Sequence, residues 1–555
     1  MKRIGKGIEN FKEMIDGQYY YIDKSNLIND TLNEKFILYA RPRRFGKTLN
    51  MSMLYYFYSI NEKDSAYLFD SLAISKNPDI LHYQNQFPVI YLSFKDLKGN
   101  SLDNIKLGFK GLIKNFIEDH KELVDSEYLD NEQINLLFKY KSEQCNDYEL
   151  SHSLYFLSKC LYLHYHKQVL ILIDEYDVPL NFAYQNGFYD EMTTFLSIFL
   201  SSALKTNDYL YKGILTGCLR ISKESIFTGL NNFSINTITN NNASDCFGFT
   251  QKEVDEMLDY YSLNEKKDIV KEWYDGYLFG QNEIYNPWSI NYYVDDLLKG
   301  ETSLPTSYWA NSSGNDIIEM YIRKANRRLR KEFETLIEGG SLVKDIEPQL
   351  TYKEMDDLNN IYSFLLFTGY LKIKSCVYDD DNIQVKDRYE LIIPNKEVEE
   401  VYRKTFKKWF NRYTEQKRDY FIEALLDKDP KKAQDILQDL MSKSMSYYDS
   451  AESFYHGFLL GLLQNDDYDI DSNRESGNGR YDLVFKSDNL YQPAILIECK
   501  SSRNPEDLEK DALSAIKQIK DKNYIQGLNN DGYRIIYCYG ISFYKKSCKV
   551  ILLNS

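Results

Sequence analysis

Two short stretches of this chain hold residue types whose spacing could do phosphate chemistry. The first is Arg41-Pro-Arg-Arg-Phe-Gly-Lys-Thr48, lying between an apolar run and a helical one. Backbone N–H groups at a helix start hold phosphate oxygens. Lys47 would reach the β- and γ-phosphates, and the Thr48 hydroxyl would sit on Mg²⁺. Gly46-Lys47-Thr48 closes a Walker A motif whose first glycine is replaced by Arg41. With Arg43 and Arg44 this makes a cationic loop, expected to make up in part for the lost backbone donors. A second apolar run, Val169–Ile173, delivers Asp174 and Glu175. That is a Walker B arrangement, one carboxylate for Mg²⁺ and one for polarising water. Thr216, ending a fourth apolar run, and Arg220 are candidates for a γ-phosphate sensor and an electrostatic finger, although an ordinary strand-end turn is the commoner explanation of each.

The other stretch is near the C-terminus. Turn-forming residues Ser487–Pro493 separate two alternating apolar runs, so a hairpin should fold about Leu490. That register sets Asp482 opposite Glu498, with Cβ atoms about 5 Å apart. Arg480 and Lys500 share their face, while Tyr481, Leu483, Phe485, Ile495, Ile497 and Cys499 take the other. Two acids facing each other are destabilising unless a cation sits between them. A divalent ion, Mg²⁺ or Mn²⁺, ligated by Asp482 and Glu498 is the economical solution, with Lys500 orienting the attacking water. A salt-bridged surface is the plainer alternative for these four residues alone, and a one-residue slip would destroy the pairing.

The surrounding pattern must position these groups. Over residues 1–250, apolar runs at Phe36–Ala40, Val89–Leu92, Val169–Ile173 and Tyr211–Leu215 alternate with amphipathic segments, notably Leu102–His120 and Leu150–His166. Near-continuous apolar strands of this kind belong to a parallel sheet covered on both faces. Residues 251–440 read as a helical middle region with few strands. In it, Tyr362–Leu371 is a buried helix ending near Gly369. Residues 441–555 read as a mixed domain: a helix to Leu463, strands around 481–485 and 494–499, a helix over 505–522, and strands at 534–539 and 549–553. The predicted class is α/β.

Composition narrows the function classes. At 555 residues several domains are required. With 68 Lys and Arg against 83 Asp and Glu the net charge is −15, which excludes a generally polycationic nucleic-acid coat but leaves room for a local basic groove. Eight cysteines without a C-x-x-C pair argue against a zinc ribbon or a disulfide scaffold. No apolar stretch has the length of a membrane span, and Met1–Glu9 has no signal-peptide character. The expectation is a soluble cytoplasmic protein without a membrane partner. Two basic helices, one with Arg323, Lys324, Arg327, Arg328, Arg330 and Lys331 and one with Arg403, Lys404, Lys407 and Lys408, would serve for phosphate contacts, although a solvated face is the commoner explanation.

Neighbouring residues extend both motifs into a resemblance. Glu452-Ser-Phe-Tyr-His-Gly-Phe-Leu-Leu-Gly461, Ser472–Asp482, Ile497-Glu-Cys-Lys500 and Ala515-Ile-Lys-Gln-Ile519 resemble the PD-(D/E)XK nuclease superfamily. Together with Tyr20–Lys24, Leu172–Asp177, Trp273–Tyr277, Tyr285–Ser289, Tyr308–Asn311 and Phe367–Tyr370, nearly the whole chain resembles bacterial AAA-ATPase-like proteins with a nuclease-like C-terminal domain. The resemblance implies Glu452 as a helix-borne acid, Asp482 and Glu498 as metal ligands, Lys500 as the catalytic lysine and Gln518 as an orienting residue. It implies ATP as ligand of the first site and nucleic acid, DNA foremost, as substrate, with defence or mobile-element biology as the setting. A homo-oligomer is left open. Two other readings compete: a nucleotide-operated switch or scaffold with a non-cutting nuclease fold, and an ATPase whose C-terminal domain only binds nucleic acid.

Overall fold

The computed structural model describes residues 1–219, 233–300, 304–309, 327–357, 360–378, 384–444, 452–463, 469–472, 475–476, 479–480, 482–487 and 489–553. The chain divides into two compact units, Met1–Lys404 and Thr405–Ser555. Arg220, Arg323, Lys324 and Tyr481 lie outside the described residues.

In the first unit, β1 (Phe36–Ala40), β2 (Val89–Ser93), β3 (Val169–Asp174), β4 (Leu210–Gly217) and β5 (Ser234–Asn236) form one sheet ordered β2-β3-β4-β1-β5. All its pairings are parallel. Every residue of β1 and β3 is buried, as their unbroken apolar sequence requires. The three-residue β5 escaped the sequence reading; Ser-Ile-Asn carries no apolar run. Helices α1 (Lys47–Tyr58) and α3 (Asp147–Tyr165) pack on the sheet, and α2 (Leu102–Asp119) packs against α3. Asn146 caps α3 by accepting from the Glu149 N–H while the Glu149 side chain returns to the Asn146 N–H, so two orphan donors are satisfied.

The strand order explains how the first site assembles. Because β4 lies between β1 and β3, the ends that carry the phosphate loop, Thr216 and Asp174 are neighbours. Ligands of open α/β sheets bind at such carboxyl ends.

Residues 251–404 contain helices as expected, and with the adjoining Phe249–Thr250 they build two small antiparallel sheets besides. One pairs β6 (Phe249–Thr250), β7 (Tyr277–Phe279) and β8 (Asn282–Tyr285) in the order β6-β8-β7; the other pairs β9 (Leu342–Asp345), β10 (Lys372–Tyr378) and β11 (Gln384–Ile392) in the order β10-β11-β9. The buried helix expected at Tyr362 is Ile361–Phe367. It stops where Gly369 adopts φ +89°, a conformation that favours glycine. Another helix, α4 (Pro287–Lys299), starts with its Asn286 side chain accepting from the Trp288 N–H, and with proline in the first turn.

The second unit is built on a sheet of β12 (Asp469–Ser472), β15 (Leu483–Lys486), β16 (Ala494–Ser501), β17 (Ile536–Tyr544) and β18 (Ser547–Leu552), in that order. A separate ribbon pairs β13 (Glu475–Ser476) with β14 (Gly479–Arg480). Leu483, Phe485, Ile495, Ile497 and Cys499 sit in a core with Tyr455, Leu459 and Leu463 of α5 (Glu452–Leu463). Val484, Ala494 and Leu496 face the other way, against Ile516 and Ile519 of α6 (Leu508–Asp521). Both faces are therefore apolar at mid-strand. At one end of the second face stand Asp482, Glu498 and Lys500, and at the other Lys486 pairs with Asp471 at 2.6 Å.

Candidate active sites

In the first unit Arg41 corrects the sequence reading. It is fully buried, and its guanidinium donates to the carbonyls of Ala40 (3.0 Å) and Asn236 (2.6 Å). It also lies over the rings of Phe247 and Phe279, 5.2 and 5.4 Å from their centroids. Arg41 is thus an internal brace with its charge on backbone oxygens, not a replacement phosphate donor. Burial holds its pKa down to about 10.

The remaining loop residues take up a cradle. Gly46 has φ +80° and caps α1, and an added Cβ there would meet nothing within 4 Å. The Lys47 ammonium donates to the carbonyls of Pro42 (2.8 Å) and Arg41 (3.1 Å). Thr48 Oγ1 donates to Asp174 Oδ2 at 2.7 Å, and Thr216 Oγ1 donates to Asp174 Oδ1. Asp174 is fully buried, and its carboxyl is raised by desolvation against the pull of the two hydroxyls and of Lys47. Glu175 is also raised, again chiefly by burial. Its φ of +54° and the +74° of Arg44 are non-glycine residues in the left-handed region, one in each motif turn. Arg44, Gly46, Lys47, Thr48 and Glu175 line a cavity of about 660 Å³, shared by Arg43, Trp288 and Tyr292.

Two features of this site escaped the sequence reading. Asp177 is buried and accepts from the N–H groups of Cys218 (3.0 Å) and Leu219 (3.2 Å), tying the turn after β4 to the turn after β3. Its place in Asp174-Glu-Tyr-Asp177 was the available signal. Glu9 accepts from Lys95 at 2.7 Å through both oxygens, and both line the cavity. They are 86 residues apart, and no local pattern joins them.

In the second unit the hairpin register is the one expected from the sequence: Leu483 pairs with Ile497, Val484 with Leu496 and Phe485 with Ile495. One step further, Asp482 stands opposite Glu498. Asp482 Oδ2 accepts from the Cys499 N–H at 2.8 Å, and the Asp482 N–H donates to Glu498 Oε2 at 3.4 Å. The Lys500 ammonium is 3.6 Å from Glu498 Oε1, and the Gln518 amide donates to the same oxygen from α6. Glu498 is 1 % exposed. Its carboxyl is pushed up to about 7, first by burial and then by the charge of Asp482, with Lys500 opposing. Glu452 opens α5, but its side chain, like those of His456 and Arg480, lies outside the described ones. Among the described residues no three His, Cys, Asp or Glu side chains converge as a metal cluster. The donors brought together are the two acids, whose hard oxygens suit Mg²⁺ or Mn²⁺.

The basic helices are largely self-neutralised where described. Arg403 and Lys404 pair with Glu399 (2.7 Å) and Glu400 (2.9 Å), and Arg328 with Glu332 (3.2 Å). This is the solvated-face arrangement. No described helix is long and apolar enough to cross a membrane.

A parallel sheet with a phosphate loop between its first strand and helix, and a mixed sheet with paired acids and a lysine on a hairpin, together define an ATPase-like module joined to a nuclease-like one. Comparison with known families agrees. Residues 5–227 match the family described as Predicted AAA-ATPase, and residues 450–552 match the PD-(D/E)XK nuclease superfamily. The chain thus carries an AAA-ATPase-like N-terminal domain and a PD-(D/E)XK nuclease-superfamily C-terminal domain. It is also 22% identical over 400 residues to an uncharacterized protein in the vnfD 5′ region of Azotobacter chroococcum mcd 1, covering 72% of this chain and 68% of that protein.

Proposed function

We propose that this protein is a metal-dependent nuclease that hydrolyses phosphodiester bonds in DNA under the control of its ATP-binding module. The observation that carries the reading is the pair Asp482 and Glu498, opposed across β15 and β16 with Lys500 beside them. A carboxylate so buried, and so close to a second acid, is poorly ionised alone and well ionised with a cation. Asp482 and Glu498 would hold Mg²⁺ or Mn²⁺, which when bound supplies positive charge for the developing phosphorane. The Cys499 N–H and the Gln518 amide keep the two acids aimed. Lys500 would hold the attacking water, and Glu452 would complete the acidic set from α5. In the first unit Gly46, Lys47 and the arginines Arg43 and Arg44 would bind the phosphates of ATP, Thr48 and Asp174 its Mg²⁺, and Glu175 would polarise water. Control of DNA cutting by nucleotide suits defence or mobile-element biology in the cytoplasm.

The test is cleavage of plasmid and oligonucleotide DNA, with RNA alongside, in Mg²⁺ or Mn²⁺ by wild type, Lys500→Ala, Asp482→Ala and Lys47→Ala. The reading predicts cutting that the first two variants abolish and the third uncouples from ATP. Tight nucleotide binding with no cutting under any condition would instead support the switch.

A further inference from the structure

The phosphate loop is unusual in what its side chains touch. Pro42 lies against Gly369, where a Cβ would come within 3.2 Å of the proline ring. Phe45 packs on Tyr277 and Phe279 of β7, with centroids 4.9 and 5.0 Å away, and its carbonyl accepts from the Gly248 N–H at 3.1 Å. Arg41 is fastened to the carbonyl of Asn236. The loop backbone is thus clamped by residues from 236 to 369, and a ligand would find it already shaped. Arg44 is placed differently. Its guanidinium stacks 3.8 Å from the ring centroid of Trp288, in the first turn of α4, while both residues line the cavity that holds Lys47, Thr48 and Glu175.

We infer that Arg44 is shared between a bound polyphosphate and Trp288, so that phosphate binding draws it off the indole and loosens the start of α4. The inference rests on the nucleotide-binding reading above and adds how occupancy leaves the site. Guanidinium to phosphate oxygen is a charge-assisted, two-pronged contact, stronger than a cation–π contact at a half-buried indole. The phosphate therefore wins the competition. By linkage the competition is reciprocal: removing the indole must tighten polyphosphate binding. Trp288 is then a positioning residue for Arg44, not a ligand contact. Because the pull comes from phosphate oxygens, inorganic tripolyphosphate must act like ATP, and AMP must not.

The experiment uses the full chain. Mg-ATP, Mg-tripolyphosphate and AMP are titrated calorimetrically, and amide hydrogen exchange of residues 287–299 is followed with and without each. In wild type, Mg-ATP and Mg-tripolyphosphate should each speed exchange in the first turns of α4, and AMP should leave it unchanged. Trp288→Leu should bind Mg-ATP about two- to fivefold more tightly, a factor matching an exposed cation–π contact. Its α4 exchange should already be fast. Arg44→Lys, which keeps the charge but loses the planar stack, should behave likewise in exchange and guards against misfolding of the leucine variant. A merely structural Trp288 would weaken binding or leave it alone, and that result overturns the inference. So does binding with no change in α4 exchange; both leave the nucleotide site standing. Failure of wild type to bind either polyphosphate removes the nucleotide reading as well.

Discussion

The two acid sites of this molecule answer the same burial cost in different ways. Asp174 is as buried as Glu498, yet two hydroxyls, Thr48 and Thr216, donate to its two oxygens. Glu498 instead faces Asp482, with Lys500 and Gln518 converging on one of its oxygens. Burial raises both carboxyls, but the first has a hydroxyl donor on each oxygen to oppose it. The second keeps an electrostatic debt that a divalent cation would cancel. If the proposed function holds, a site for a ligand that brings its own metal looks different from a site that recruits metal directly, although both present acids at the end of a sheet.

The sharpest way to break this comparison is chemistry. Asp482→Ala and Lys500→Ala should each lower DNA cleavage by about 10²–10⁴-fold, the range for losing a group that acts in the transition state. Lys47→Ala should leave the nuclease acids intact and weaken Mg-ATP binding by about 10–100-fold, the loss of one charged hydrogen bond to phosphate; calorimetry reads this directly. Arg41→Met probes the brace. It orphans buried carbonyls that a charged donor now satisfies, and should destabilise the first unit by about 3 kcal/mol in chemical denaturation. Gly369→Ala should cost about 1–2 kcal/mol by the same measurement, because it forces a side chain into φ +89° against Pro42.

Much of this was legible in the sequence for reasons that are local. Strands β1 and β3 announce themselves as unbroken apolar runs, and the Gly46-Lys47-Thr48 and Asp174-Glu175 motifs follow them directly. The Asp482–Glu498 register was readable because a two-residue alternation on both sides of a turn leaves one pairing that keeps Leu483, Phe485, Ile495 and Ile497 on one face. What stayed hidden depends on distant parts. The destination of Arg41 is set by Asn236, Phe247 and Phe279, and nothing near Arg41 signals them. The partnership of Arg44 with Trp288 spans 244 positions of sequence. Strands β9, β10 and β11 are mostly half-exposed, so their apolar alternation is weak.

The proton on Glu498 gives the comparison its pH dependence. Its folded pKa, about 7, lies above the ordinary carboxylate value. The stability this contributes is present in full below the unfolded pKa and is lost as pH rises through 7. The metal-free second unit should therefore weaken between pH 5 and 8, and a bound cation should reverse that trend. Whether Asp482 and Glu498 hold a metal is decided by calorimetric titration of Mn²⁺ at pH 6, 7 and 8, using full-length protein with Asp174→Asn so that only the second site is counted. One site is expected, absent in Asp482→Asn, with affinity falling about tenfold per pH unit below 7 as a proton competes for Glu498. Binding that ignores both pH and Asp482→Asn would contradict this expectation.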